Sequence, residues 1–418
     1  MPLPDPRAGA SAVPAPREYD VAIVGGGLVG ASLALGLSGT GVRVLLIESV
    51  APESQAQPSF DERTTALGNA SRRIFEALGI WRELAPEAAP IRVIHVSDAG
   101  RFGVARLRAE EHGIEAFGYV VPNRLIGAAL WRALAGARGV EVRVPARIED
   151  IDITTGHAYF NVVSGAAREV SVARLLVAAD GAHSAVRAAA GIQAEVADYD
   201  QVAITAHVTT DRPHDDTAYE RFTPSGPIAL LPLRGAAHGA VWSSPAERAA
   251  ELLALGDEAY LEALQSRFGW RAGRFLRVGR RASYPLRLTR AATTVALRTV
   301  LIGNAAQALH PIAGQGFNLG LRDAALLAEV IAGAPADAGA PELLRRFSSW
   351  RAADRRGVVR FTDTLVRLFA SRVPGAGLIR DLGLVLFDLS PPAKRALARV
   401  SLGFGGPTPR LARGLPLT

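Results

Sequence analysis

The hydrophobic positions along this chain change their period several times. Residues 20–24 (DVAIV) form a short apolar run, residues 28–39 carry small and apolar residues suited to a helix, and residues 42–48 (VRVLLIE) form a second apolar run. This order predicts a β-α-β unit. Helical patterns follow near 71–85 and 123–136. Strand-like runs at 140–144, 157–163 and 174–179 lead into Ala178-Ala179-Asp180-Gly181. From about 186 to 285 the texture changes: 201–208 (QVAITAHV), 227–233 (PIALLPL) and 238–243 (HGAVWS) alternate or are strongly apolar, broken by Gly and Pro, and a helix is expected over 246–267. Such a stretch predicts a sheet-rich domain inserted into the first. Residues 294–302 (TVALRTVLI) return to buried-strand character, and the chain after Asp323 is mostly helical. The expected division is a flexible leader (1–18), a nucleotide-binding domain in two parts (19–185 and 286–335), an inserted substrate domain (186–285), and a helical C-terminal region with tail (336–418).

Composition narrows the chemistry. At 418 residues and 49% hydrophobic, the chain has enough length for two domains and enough apolar material for a core. It contains no cysteine, which excludes disulfides, thiolate nucleophiles and Cys-ligated metals, and no metal centre is expected. The leader has no apolar run of the kind a signal peptide needs. No stretch has the uninterrupted apolar length of a membrane span; residues 373–389 come nearest and are broken by Arg380 and Asp381. The formal charge of +7 is carried almost wholly by arginine, Lys394 being the only lysine. This is either a compositional bias or an attraction to anionic lipid headgroups and cofactors. No basic-aromatic motif accompanies it, so a nucleic-acid partner is not expected.

Two glycine-rich turns carry the candidate chemistry. Gly25, Gly27 and Gly30 stand between a strand and a helix: the first permits the tight turn, the second lets backbone approach a pyrophosphate, and the third lets helix and strand pack closely. The helix start then offers N–H groups to phosphates. Glu48 ends the second strand, where a carboxylate accepts from ribose hydroxyls and repels a 2′-phosphate, pointing to FAD or NAD. A dehydrogenase would share these features. The second turn lies in residues 303–323 (GNAAQALHPIAGQGFNLGLRD), again between a strand and a helix. A long cofactor held at both ends accounts for two such turns, and NAD alone does not. Asn304 is placed to bond a ribityl hydroxyl. The turn around Gly314, Gly316, Phe317 and Asn318 is placed to present N–H groups to the flavin edge that becomes negative on reduction.

At these blocks, together with DERTTALGNAS (61–71) and VAADGAHSAVR (177–187), the chain resembles the class A FAD-dependent aromatic monooxygenases. Within them it is most similar to the ubiquinone-biosynthesis hydroxylases, in particular the 2-polyprenyl-6-methoxyphenol hydroxylase branch. The resemblance covers most of residues 19–370. It implies an α/β fold with a Rossmann-like, glutathione-reductase-type FAD domain, an inserted β-sheet substrate domain and a helical C-terminal region. It implies that Arg63 contacts the FAD diphosphate region and that Asn123, with Arg124 beside it, lies near the flavin and ribityl chain. It gives Asp180 and Gly181 to FAD and nicotinamide binding, Pro311 to the reactive flavin edge, and Asn318 to the flavin-facing helix start. Most of the family has Asp and His where this chain has Asn304 and Gln307; the amide pair fits the narrower branch.

The activity implied is hydroxylation of the aromatic ring of a polyprenylated phenol. NADH or NADPH would reduce FAD, and reaction with O2 would give a C4a-hydroperoxide whose distal oxygen the ring attacks. His310 is the candidate for proton transfer, with packing or hydrogen bonding as its alternative role. Phe222 and Trp242 are candidates for the substrate wall, with core packing as the alternative. Halogenation is disfavoured, because the family's halogenases use an active-site lysine and Lys394 lies in the C-terminal tail. A flavin-dependent isoprenoid reductase and a non-catalytic quinone-binding flavoprotein are the competing readings. The expected location is cytoplasmic. The apolar stretches and arginines of 361–404 read either as a surface for peripheral contact at the inner membrane face or with other ubiquinone-biosynthesis proteins, or as an amphipathic helix capping the FAD domain.

Overall fold

The computed structural model describes residues 16–52, 54, 63–308, 314–334, 336–352, 355, 357, 376–403 and 408–418. Two large sheets organise them. The first is eight-stranded and has parallel strands at its centre: Thr299–Leu301, Ala167–Ala178, Arg17–Val24, Val44–Ile47 and Val140–Arg143, in that spatial order. Val21, Ala22 and Ile23 are fully buried, as are Leu175, Leu176 and Val177 beside them. A continuous apolar run suits a parallel strand covered on both faces; on one face here, Ala22, Val24 and Ile47 share a core with Phe160 and Val162 of strand Ala158–Ser164 and with Val186. Helices Leu28–Leu37, Asn123–Ala135 and Gln315–Ala332 pack over one face, and Leu33, Leu130 and Leu327 meet there in a single core.

The second sheet is nine-stranded and mostly antiparallel. It extends beyond the stretch 186–285 in which a sheet was expected. Val93–Asp98 pairs in parallel with Thr217–Phe222, and Val104–Arg108 forms the edge beyond it. At the opposite edge Gln307–Ala308 pairs with Ala282–Ala291, so a short strand within the 303–323 block joins the second sheet. A three-stranded sheet of Thr64–Gly68, Gly118–Pro122 and Ala89–Ile91 lies between the large ones in the chain's path.

Two expected elements divide. The helix expected over 246–267 is two, Ala246–Ala254 and Asp257–Phe268, broken at Leu255 and Gly256. The Arg281 guanidinium stabilises the break by donating to the Leu255 carbonyl at 2.7 Å, a group a continuous helix would have bonded itself. The run 294–302 is a hairpin, Val295–Ala296 with Thr299–Leu301, turned at Arg298 with φ +50°. The guanidinium of Arg298 donates to the Thr155 carbonyl at 2.8 Å, which holds that left-handed residue in place.

Candidate functional site at the ends of the parallel strands

The two glycine turns and the Asp180 motif converge at the C-terminal ends of adjacent parallel strands, where open α/β sheets place their ligands. Gly25 has φ +101°, and a Cβ there would stand 2.4 Å from the Ala179 carbonyl oxygen and 2.8 Å from the Asp180 nitrogen. A Cβ on Gly30 would stand 1.9 Å from the Gly25 carbonyl oxygen. Strand, turn and helix therefore close on one another only because both side chains are missing. Gly27 caps the helix with extended backbone and no side-chain hydrogen bond, which leaves the first helical N–H groups to a ligand. Gly26, not singled out in the sequence, is also confined: a Cβ would stand 2.9 Å from both Glu48 Cβ and the Trp131 ring.

Glu48 is buried. One carboxylate oxygen accepts from the Gly26 N–H at 2.6 Å and the other from the Val50 N–H at 2.8 Å. The oxygen bonded to Val50 also accepts from the Ser49 hydroxyl at 3.4 Å, while the one bonded to Gly26 keeps a lone pair for a ribose hydroxyl, and the backbone bonds fix the carboxylate's direction.

Asp180 uses one oxygen to accept from Ala185 N–H at 2.8 Å, and its Oδ1 is buried with no hydrogen-bond partner. Burial pushes its carboxyl above the ordinary carboxylate range, against the opposing effect of donors from Ser184, Val186 and Ala185. A buried acceptor without a donor is costly, and a ligand hydroxyl supplies one. Gly181, at φ +87°, has open space where a side chain would project. Arg187 ties this loop to the 303–323 block: it donates to the Ala182 carbonyl at 2.7 Å and to the Ala305 carbonyl at 3.0 Å. Its place in the AADG-containing block was the available signal; its bridging role depends on two segments far apart in sequence.

Asn304 is exposed in a short turn after Thr299–Leu301, with Gly303 against Val29 of the first glycine motif. The residues following it are braced from behind. Gln307 donates to Asp323 at 3.0 Å, Asp323 accepts from Arg351 at 2.6 Å, and Arg355 donates to Gln307. Gln307, Asp323 and Arg351 are all buried.

The Asn318 amide is engaged by four hydrogen bonds within the protein. Its Oδ1 accepts from Gly68 N–H at 2.8 Å and from the Ser71 hydroxyl at 2.6 Å. Its Nδ2 donates to the carbonyls of Ala66 and Gly314, each at 2.8 Å. The amide thus stitches the start of helix Gln315–Ala332 to strand Thr64–Gly68. Phe317 turns toward the core, its ring 6.2 Å from Phe75. Gly314 adopts the left-handed conformation at φ +58°, and Gly316 is open around its Cα. His310 and Pro311 lie outside the described residues.

Asn123 begins helix Asn123–Ala135; its N–H donates to the Arg63 carbonyl at 2.8 Å and its Oδ1 accepts from Thr65 at 2.6 Å. Arg124 beside it is exposed. The Arg63 guanidinium lies 5.5 Å over the Tyr284 ring, joining the glycine-motif region to the nine-stranded sheet. That face of the sheet carries Glu220, Ala229, Val241 and Thr205 in one register row, partly exposed and mostly small. Phe222 alternates onto the same face as Glu220 and is buried. Trp242 is on the opposite face, buried against helix Asp257–Phe268 with its ring 5.8 Å from Tyr260; it is a core residue and not part of the cleft.

Three comparisons bear on this cleft. The family model described as an FAD binding domain matches residues 18–362. The chain is similar to the ubiquinone hydroxylase UbiL of Rhodospirillum rubrum, at 38% identity over 96% of this chain and 94% of that protein. It is 32% identical to the 3-demethoxyubiquinol 3-hydroxylase of Escherichia coli over 93% of this chain and 99% of that protein. The fold resembles the crystal structure of p-nitrophenol 4-monooxygenase PnpA from Pseudomonas putida, with TM-score 0.78 and 18% identity over 93% and 99% of the two chains. The glycine cradle, the partnerless acceptor on Asp180 and the exposed amide of Asn304 fit a flavin dinucleotide, and this chain belongs to the FAD-binding family of class A flavoprotein monooxygenases.

Proposed function

We propose that this protein is an FAD-dependent hydroxylase of the aromatic ring of a polyprenylated phenol in ubiquinone biosynthesis, using NADH or NADPH and O2. The observation that carries the reading is the convergence of three motifs, distant in sequence, on the C-terminal ends of adjacent parallel strands, packed closely there because Gly25 and Gly30 have no side chain. The hydroxylases among its relatives support the substrate class. When bound, FAD supplies the passage of electrons from the nicotinamide and the activation of dioxygen.

The chain's own part is binding, orientation and exclusion of water. Gly25, Gly27 and Gly30 admit the diphosphate to the helix start, and Glu48 orients the adenine-side ribose. Arg63, held by Tyr284, contributes positive charge near the diphosphate. Asp180 accepts from a ligand hydroxyl through its free oxygen, and Gly181 leaves the space for it. Asn304, Asn123 and Arg124 address the ribityl side. Gly314, Gly316 and Phe317 present backbone N–H groups to the flavin, and Asn318 holds that turn against Ala66 and Gly68. Pro311 and His310 are assigned to the reactive edge. The small-residue row of the nine-stranded sheet forms the substrate wall.

With a lipid-tailed substrate, we assign the protein to the cytoplasm with peripheral contact at the inner membrane face. Complementation of a hydroxylase-deficient strain tests the reading. Restored quinone, and loss of the accumulated unhydroxylated phenol by mass spectrometry, are expected; unchanged accumulation with well-expressed, FAD-loaded protein overturns it.

A further inference from the structure

Near the C-terminus, helix Ala376–Asp388 lies along the edge strand Val104–Arg108 and is followed by helix Pro391–Ser401. Its two acids are turned inward onto backbone. Asp381, buried, accepts from the Gly103 N–H at 3.1 Å, and Asp388 accepts from the Arg106 N–H at 2.8 Å. Gly103 has no room for a side chain, since a Cβ would stand 2.8 Å from the Asp381 Cα. Phe387, with Leu397 and Ala398 of the next helix, packs on Leu107 and Phe117. The inner side of this helix is therefore fully accounted for, and it covers a strand edge that would otherwise invite pairing.

The outer side is apolar and uncovered. Leu382, Leu386 and Leu389 are 49%, 66% and 73% exposed at spacings of four and three residues, a single helical stripe. Phe102, 64% exposed, projects from the loop just before Gly103. Arg101, Arg106 and Arg395 are exposed around this patch. Both acids are neutralised, Asp388 by Lys394 at 2.9 Å and Asp381 by Arg101 at 3.6 Å, so the exposed Arg106 and Arg395 give the rim its positive sign.

We infer that the outer face of helix Ala376–Asp388, with Phe102, docks on the interfacial region of an anionic lipid bilayer. An apolar stripe rimmed by arginine is the surface such an interface receives. A second copy of this chain fits less well. A two-fold contact would set the same arginines against each other, and one short stripe falls well below the roughly 1,200–2,000 Å² that stable protein interfaces bury. Among the described residues no helix is long and apolar enough to cross a membrane, so the contact is with one leaflet. The docking brings the protein to the phase in which a polyprenylated phenol dissolves, and its biological sense, though not its physics, rests on that reading of the substrate.

The test uses full-length, FAD-loaded protein without substrate, sedimented with vesicles of phosphatidylcholine alone or mixed with phosphatidylglycerol. Binding to the anionic vesicles, weakened by salt, is expected. Leu386→Gln with Leu389→Gln reduces the partition coefficient at least tenfold, and Arg395→Gln reduces it about fivefold, the equivalent of about 1 kcal/mol per interfacial cation. Both variants keep their flavin absorbance, because none of the three side chains touches the cleft. In Leu386→Trp, the indole emission shifts to the blue on adding anionic vesicles. Equal binding by wild type and the leucine pair overturns the proposal. So does wild type that ignores anionic vesicles, or a solution dimer that the leucine pair dissociates. Hydroxylation of a short-chain, water-soluble phenol is measured separately. Its failure with vesicle binding intact would count against the proposed activity and leave the docking surface standing.

Discussion

Asn318→Ala isolates the contact that holds the flavin-side turn in place. The side-chain amide makes four hydrogen bonds, to Gly68, Ser71, Ala66 and Gly314, in a position only 2% exposed. The alanine variant leaves those groups behind. Ser71 is fully buried and left without this acceptor, whereas Gly68, Ala66 and Gly314 are half-buried, so water replaces part of what the amide gave them. At about 1–3 kcal/mol per orphaned buried group, the loss is about 4 kcal/mol. For a chain of 418 residues, an unfolding entropy of about 2.1 cal/mol/K per residue converts this to a fall in Tm of about 4–5 °C.

The assay is thermal unfolding of the apoprotein followed by circular dichroism. Without FAD, a side chain whose only role was to touch the flavin would contribute nothing, whereas a stitch between two segments contributes in full. Asn318→Asp sharpens the test. It keeps both acceptances but sets a carboxylate against two carbonyls, so it is at least as destabilised as the alanine variant at neutral pH and recovers as the carboxyl protonates. An apoprotein of Asn318→Ala that unfolds within about 1 °C of wild type would refute the reasoning.

Two further outcomes follow from the same physical grounds. Gly30→Ala places a Cβ where the Gly25 carbonyl oxygen stands, so the turn must open; the purified variant is expected to bind FAD at least tenfold more weakly by fluorescence titration, and unchanged affinity would remove the glycine cradle from the account. His95 and His238 are lowered to about 4, both chiefly by burial, then by Arg271 and Arg106 for His95 and by His214 for His238. Because their folded-state values lie below the ordinary 6.5, the unfolded chain takes up protons first, so their stabilisation is complete above pH 6.5 and is lost as pH falls toward 4. Each is worth up to about 3 kcal/mol over that window. The Tm is expected to fall steadily from pH 7 to 4.5, with a shallower slope in His238→Asn; a flat profile contradicts the burial of these rings.

What the sequence made legible was local. The strand at 20–24, the turn at Gly25 and the helix after it are specified within a few residues by apolar runs and missing side chains, and the structure has Arg17–Val24 and Leu28–Leu37 there. Helix Asn123–Ala135 begins at the asparagine expected to begin it. Distant pairings were not legible. Val93 pairs with Thr217, and nothing in the periodicity of either strand encodes that partner. The division of the helix near Gly256 depends on Arg281, and the hairpin at Arg298 depends on Thr155, each remote in sequence. Trp242 could have lined the cleft or filled the core on composition alone; the registry Ile204–Trp242–Ile228 puts it on the helix-covered face. Asn318 is the clearest case at the site. Its position was evident, but its hydrogen bonds to residues of the 66–71 segment required both segments to be folded together.

The central claim is that the cleft at the strand ends uses a flavin to put one atom of dioxygen onto an aromatic ring. Turnover of a short-chain prenylphenol by the FAD-loaded protein under isotopically heavy dioxygen, with reduced nicotinamide, measures it directly. A hydroxylated product carrying a single heavy oxygen, formed in proportion to the dioxygen consumed, is expected. Product bearing oxygen from water, or nicotinamide oxidation that yields only hydrogen peroxide, would contradict it.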